Sequence, residues 1–208
     1  HEILSGIAAL YRGKGADAAQ VRAAHLGAIT RLTPYTMAAN MGNGLAVLWA
    51  FRDNLPAGLL PWFATLLMMS GFALQHWWRR RGRAFEKAST RAARHATLHA
   101  FALAAVWAVL PVAWFPSASP SQQLLLATLL TGMLGAGTFV LNPMPLASIG
   151  YALVFAAGCL GALWRAGDPM GPGVAALLLC YTAIVIAGSL VAWRKSTALL
   201  HSRAQAVR

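Results

Sequence analysis

The first candidates for a binding site are three amide side chains within the first two apolar segments of this chain. Asn40 and Asn43 lie one helical turn apart in one apolar segment, and Gln75 lies near the end of the next. An amide in hydrocarbon is costly unless it is hydrogen-bonded. We therefore expect Asn40 and Asn43 to face other helices. They are either interhelical hydrogen-bonding residues, worth about 0.6 to 2 kcal/mol each, or the lining of a small-molecule or ion site.

Three histidines form a second candidate site. His76 ends one apolar segment, beside Trp77 and Trp78, while His95 and His99 are four residues apart on one face of the helix that opens the next. Imidazoles at one depth can ligate haem or a metal, or respond to pH. No carboxylate lies nearby in sequence to orient them. Interfacial residues beside aromatic anchors are the simpler interpretation, so no cofactor is expected and haem is the alternative.

The two cysteines, Cys159 and Cys180, lie at similar depth in consecutive apolar segments. They form either a thiol pair or two separate packing residues. The rest of the chain offers no Ser/His/Asp set, no phosphate-binding loop and no metal-ligand motif. All five acidic residues lie outside the apolar segments, whereas a proton-coupled transporter usually keeps an ionisable group within the membrane. We therefore expect no catalysis within these 208 residues.

Six apolar segments hold these residues, and each has the length that an α-helix needs to cross about 30 Å of hydrocarbon. They cover residues 32–51, 59–78, 97–115, 122–141, 146–164 and 173–193. A hydrophobic fraction of 58% and a mean hydropathy of +0.57 exclude a soluble globular domain. The sequence predicts an all-α polytopic membrane protein with six transmembrane helices.

The positively charged residues are concentrated on one predicted side of the six segments. All of the 17 Lys and Arg residues except Arg52 and Arg165 fall in the three regions that share one predicted side. The positive-inside rule therefore places both termini in the cytoplasm. A net charge of +12 suggests nucleic acid in a soluble protein. Here the charges lie beside the membrane segments and fit an anionic inner leaflet. The expected partner is therefore a lipid bilayer, and no binding of nucleic acid is expected.

The chain divides into residues 1–31, a bundle over 32–193 and an extension over 194–208. Gly13-Lys14-Gly15 is predicted to separate a short apolar piece from a cytoplasmic helix. That helix is expected to lie on the membrane surface or to pack on a partner helix, with Arg22 outside its apolar stripe. The stripe consists of Val21, Ala24, His25, Ala28, Ile29 and Leu32.

The extension after the sixth segment contains neither Pro nor Gly, so a helix is predicted to continue out of the membrane. Trp193, Leu200 and Val207 are seven residues apart, as in one seam of a coiled coil. This spacing predicts that the three residues couple the bundle to a cytoplasmic domain beyond residue 208, in a homodimer.

Several stretches resemble the MASE-type six-span sensory modules of bacterial signalling proteins. These modules precede GGDEF and EAL domains, which make and degrade cyclic di-GMP, and sometimes histidine kinase or nucleotide cyclase domains. The resemblance covers most of residues 20–200. The stretches that carry it are RLTPYTMAANMGN at 31–43, AAVWAVLP at 104–111 and LTGMLGAG at 130–137, followed by Pro145 and Tyr151.

The resemblance implies a sensor and anchor in the bacterial inner membrane. Such a module controls a cytoplasmic output, here the synthesis or hydrolysis of cyclic di-GMP, and any enzyme activity belongs to a parent protein. The alternative is a stand-alone small transporter, or a scaffold subunit of a membrane complex.

Overall fold

The computed structural model describes residues 2–13, 15–82 and 87–206, and this part of the chain is helical apart from its turns. A short 3-10 turn, Phe115–Ser117, follows the fourth helix. The α-helices are α1 (Glu2–Arg12), α2 (Ala16–Ala50), α3 (Leu59–Arg80), α4 (Thr90–Trp114), α5 (Pro120–Val140), α6 (Pro145–Ala166) and α7 (Gly171–Ala206).

Four helices in the described residues are long and apolar enough to cross a membrane. They are α4 with its 3-10 turn (Thr90–Ser117), α5, α6 and the Gly171–Leu199 part of α7. The helices α2 and α3, which contain the first two predicted segments, are not among them. Both carry polar residues within their apolar stretches, such as Asn40 in α2 and His76 in α3. The prediction of an all-helical fold is therefore confirmed for the described residues, and four of the six predicted segments lie in helices long and apolar enough to cross a membrane.

The first long helix does not stop at the predicted domain boundary after residue 31. Helix α2 continues for 35 residues and passes through Pro34. The predicted break further upstream is present, because α1 ends at Arg12 and α2 begins at Ala16; Lys14 lies outside the described residues. One continuous helix therefore connects the N-terminal region to the interior of the bundle.

The core of the bundle lies between α4 and α6, which form its most extensive helix pair. Trp107 of α4 and Tyr151 and Phe155 of α6 are almost fully buried there. The backbones approach closely where Gly158 meets Ala108. A Cβ atom added at Gly158 would lie 2.7 Å from the Ala108 Cα and 2.9 Å from its carbonyl oxygen. Small residues permit this kind of approach between membrane helices.

The N-terminal region packs on the basic end of the bundle, which we define by Arg79–Arg81, Arg91 and Arg94. Side chains of α1 and α2 form one apolar cluster there with α4, α6 and the residues that precede each of them; the cluster contains Leu10, Tyr11, Ala23, Leu26, Ala88, Ala93, Ala100, Met144 and Ala147. Of the two predicted environments for the N-terminal helix, packing on partner helices is the one observed. The predicted apolar stripe is wrong in part, because Ala24, Ala28 and Leu32 are exposed whereas Arg22 is buried.

Candidate functional site

A cavity of about 960 Å³ opens between α2, α3, α4, α5 and α6. Its size is at the upper end of the range for small-molecule sites. Helix α2 lines it from Leu26 to Asn40, and α4 lines it from Arg91 to Leu103. The wall is completed by three further parts of the chain. They are the second half of α3, residues 87–89 just before α4, and the facing ends of α5 and α6. Four of the predicted site residues meet in this wall: Asn40, His76, His95 and His99.

Asn40 joins α2 to α4 through a hydrogen bond in the interior. The indole Nε1 of Trp107 donates to the Asn40 Oδ1 at 2.6 Å, and the Asn40 Nδ2 donates to the Thr36 carbonyl at 2.7 Å. Both ends of the amide therefore have a partner, and the side chain is only 5% exposed. This geometry agrees with the interhelical interpretation of Asn40, which also borders the cavity.

The other two candidate amides lie in different environments. The Asn43 Nδ2 donates to the Sδ of Met133 at 2.9 Å and so connects α2 with α5. Gln75 is exposed on α3 and does not line the cavity. The structure therefore brings Asn40 and Asn43 into the bundle and leaves Gln75 on its surface.

Asn40→Leu is expected to lower the free energy of unfolding by about 1 to 3 kcal/mol, because the buried Trp107 N–H loses its acceptor. Replacing both partners, in Asn40→Leu with Trp107→Phe, removes the donor as well. The double variant is therefore expected to lose less stability than the sum of the single variants. Thermal unfolding in detergent measures this difference, and strictly additive losses would contradict the assigned hydrogen bond.

The three predicted histidines border the same cavity but differ in exposure. His76 and His95 are exposed, whereas His99 is partly buried and its Nε2 has no hydrogen-bond partner. Within residues 2–13, 15–82 and 87–206, no group of three His, Cys, Asp or Glu side chains is arranged to hold a metal ion. The histidines therefore share a site without forming a three-ligand metal centre. Haem ligation through them stays a prediction.

The cavity is amphipathic. Arg80, Lys87 and Arg91 border it at the basic end, and no described Asp or Glu lines its wall. At the opposite end the wall is formed by side chains such as Met37, Leu103 and Met133. The wall has no described nucleophile and base in hydrogen-bond contact. This arrangement is suited to binding an amphipathic molecule.

The cysteines do not share one environment. Cys159 is partly buried and lines a second cavity of about 240 Å³ between α4, α5, α6 and α7, together with Tyr181. Cys180 is exposed on α7, and both are free thiols. The alternative of two separate packing residues describes these positions better than a disulfide.

Helix α7 is contacted by the N-terminal region at the basic end. A Cβ atom added at Gly6 of α1 would lie 2.9 Å from the ring of Trp193, so α1 packs directly on this indole. Four residues further along α7, the Thr197 Oγ1 lies 3.4 Å from the His25 Nε2 of α2. Trp193 is therefore buried inside the chain. The side chain of Leu200 and all of Val207, the other predicted coupling residues, lie outside the described parts.

No protein-family model matches the chain, and no match is found among curated proteins or solved structures.

Arg22 is a structural centre that the sequence patterns did not indicate. Its Nε donates to the Ala88 carbonyl at 2.9 Å. Its Nη1 donates to the carbonyls of Gly13 at 2.8 Å and Leu10 at 3.4 Å. Since these carbonyls belong to the end of α1 and to the segment before α4, one buried guanidinium holds three parts of the chain together. The backbone bond from Ala88 N to the Ala19 carbonyl, 3.0 Å long, supports the same junction.

Stability of the N-terminal packing is expected to depend on pH through His25. Burial lowers the pKa of His25 to about 4, from an ordinary value of 6.5. Between pH 4 and pH 6.5 the unfolded chain therefore binds a proton on His25 that the folded chain does not bind. The contribution of the neutral imidazole to the free energy of unfolding is fully present above pH 6.5 and is lost as the pH falls towards 4. The loss amounts to roughly 3 kcal/mol. Thermal unfolding from pH 7 to pH 4.5 measures it, and an equally steep decline in His25→Gln would rule His25 out as its cause.

Proposed function

We propose that this chain is a six-span membrane anchor and sensor module that controls a cytoplasmic signalling output, the synthesis or hydrolysis of cyclic di-GMP. The module lies in the bacterial inner membrane as a homodimer, with both termini in the cytoplasm. Support comes from the charge distribution, from the resemblance to MASE-type modules and from the surfaces of α2 and α3. Large apolar side chains such as Trp49 and Phe72 are exposed there, 63% and 66% respectively. A lipid environment covers such surfaces at no cost.

The observation that carries the proposal is the length and continuity of α7. Its 36 residues extend over about 54 Å at 1.5 Å per residue, whereas the hydrocarbon core is about 30 Å thick. One uninterrupted helix thus runs from inside the bundle to well beyond its basic end. Shifts of one to two ångströms in such helices are enough to switch paired domains attached to them.

Helix α2 provides a physical connection between the cavity and α7. It lines the cavity through Met37 and Asn40, and the same continuous helix contacts α7 through His25. A ligand that moves α2 by occupying the cavity therefore also changes the contact at Thr197. The switch in this proposal is a change in the position of α2 against α7.

The size of the native product tests the proposal. Membranes of the source cells are probed with an antibody against residues 79–95. A sensor module requires an attached output domain, so a band well above the 22.0 kDa of this chain is expected. A band at that mass favours the alternative, a stand-alone transporter or scaffold subunit, for which the large cavity is the supporting observation.

A further inference from the structure

We propose that the large cavity binds a single-chain amphiphile with an anionic headgroup, of which a long-chain fatty acid is the simplest example. The inference rests on the proposed function in one respect, because the six-span orientation places the basic end of the cavity at the cytoplasmic face of the membrane. A ligand of this class enters there from the inner leaflet, with its charged group at the surface and its chain in the bundle.

The length of the cavity matches one leaflet of a bilayer. Along α4 the lining residues run from Arg91 to Leu103, which corresponds to about 18 Å of helix. Half of the hydrocarbon core is about 15 Å thick. An acyl chain that spans one leaflet therefore fits between the basic end and the level of Asn40, and the volume of about 960 Å³ leaves room for it.

Charge at the basic end selects an anion. Arg80, Lys87 and Arg91 are all exposed, and none of them forms an ion pair with another described residue. The lining contains six basic or imidazole side chains in all and no described carboxylate: His76, Arg80, Lys87, Arg91, His95 and His99. A carboxylate or phosphate placed here meets several cationic donors at one end of the cavity, whereas a cationic headgroup is repelled.

Beyond the basic end, a ligand needs no polar group, because the hydroxyl and amide groups of the wall already form hydrogen bonds within the chain. The hydroxyls of Thr30, Thr33 and Thr36 donate to carbonyls of α2, at 2.8, 3.3 and 3.0 Å. The Tyr151 hydroxyl donates to the Met133 carbonyl at 3.3 Å, and both ends of the Asn40 amide are paired. What remains is an apolar space, which a hydrocarbon chain fills better than water does.

One polar atom of the wall is an exception, and it lies between the basic end and the inner end. The Nε2 of His99, two helical turns inside Arg91, is buried and has no partner in the described structure. A water molecule beside it gives this atom the hydrogen bond that it lacks. The three cations therefore indicate the end of the cavity that the charged group occupies, and the unpaired imidazole lies about 12 Å further in along α4.

Saturable binding of radiolabelled palmitate to the full chain in nanodiscs tests the inference. The variant Arg80→Gln with Arg91→Gln removes two cations of the lining. Its matched control, Arg79→Gln with Arg94→Gln, removes two exposed cations of the same helices that do not line the cavity. We expect the Kd for palmitate to rise about tenfold in the first variant, which corresponds to about 1.4 kcal/mol, and to stay unchanged in the control.

Competitors identify which part of the amphiphile is recognised. Dodecyl phosphate is expected to displace palmitate, while hexadecanol, hexadecyltrimethylammonium and inorganic phosphate at equal concentrations are not. Absence of saturable palmitate binding, equal loss in both variants, or equal displacement by hexadecanol would each overturn the inference. Displacement by inorganic phosphate alone would assign the site to a free anion. The assay needs no output domain, so a negative result leaves the proposed signalling role standing, and a product of 22.0 kDa leaves the binding result standing.

Discussion

Gly158→Ala is expected to lower the free energy of unfolding by about 3 kcal/mol, at the upper end of the cost of overpacking a core. The added methyl group meets the Cα and the carbonyl oxygen of Ala108 at 2.7 and 2.9 Å. Backbone atoms cannot rotate away as a side chain can, so α4 and α6 must separate. Thermal unfolding of the purified chain in detergent measures the loss.

Gly161→Ala is the matched control for this experiment. Gly161 lies one turn further along α6, and a Cβ atom there would lie 3.5 Å from a side-chain carbon of Val112, an ordinary contact distance. The same chemical change is therefore expected to be neutral or slightly stabilising, since Ala also favours the helix. Equal melting temperatures for the two variants would show that α4 and α6 do not approach each other at Gly158.

Arg22→Met is expected to have the largest effect on the N-terminal region. Methionine preserves much of the apolar length of the side chain but leaves the carbonyls of Leu10, Gly13 and Ala88 without the donor that now satisfies them. Each buried unsatisfied group costs about 1 to 3 kcal/mol, and we expect a total loss of about 3 kcal/mol, since water reaches the partly buried carbonyls. Hydrogen exchange of residues 2–13 and of residues 87–90 is expected to accelerate together.

Arg12→Met is the control for charge removal, because Arg12 is exposed in the last turn of α1. It is expected to leave the exchange rates of both segments within twofold of the original chain. If Arg12→Met accelerates exchange as much as Arg22→Met, charge and not the buried hydrogen bonds holds the N-terminal region in place.

Helix type was predictable from this sequence because long apolar runs depend only on local composition, whereas the 35-residue length of α2 was not. The break at Gly13 and Gly15 and the continuation of α7 beyond the bundle follow from the same local rules. Partner choice was not predictable in this way. Asn40 was expected to face another helix, but its partner Trp107 lies 67 residues away in the chain, and no spacing rule relates the two.

Arg22 shows where sequence patterns mislead. Periodicity treats a charged residue as a marker of the exposed face, whereas this guanidinium is buried, 3% exposed. Its burial depends on three carbonyls that become neighbours only when α1, α2 and the segment before α4 pack together. The histidines illustrate the intermediate case: their common depth was predictable, and they do line one cavity, but the unpaired Nε2 of His99 became visible only in the folded chain.

The central claim, that α7 transmits a motion to an output domain, is tested most directly by changing the phase of that helix. Alanines are inserted between Ala198 and Leu199, beyond the contact of Thr197 with His25, and cyclic di-GMP turnover by the full-length protein is measured in membranes. Each inserted residue rotates the following helix by about 100°, whereas seven residues nearly restore its phase. We expect the turnover of cyclic di-GMP to change with the phase of the helix over one to four insertions. Seven insertions are expected to return it to the original level. Turnover that stays constant through all insertions would contradict the coupling role of α7.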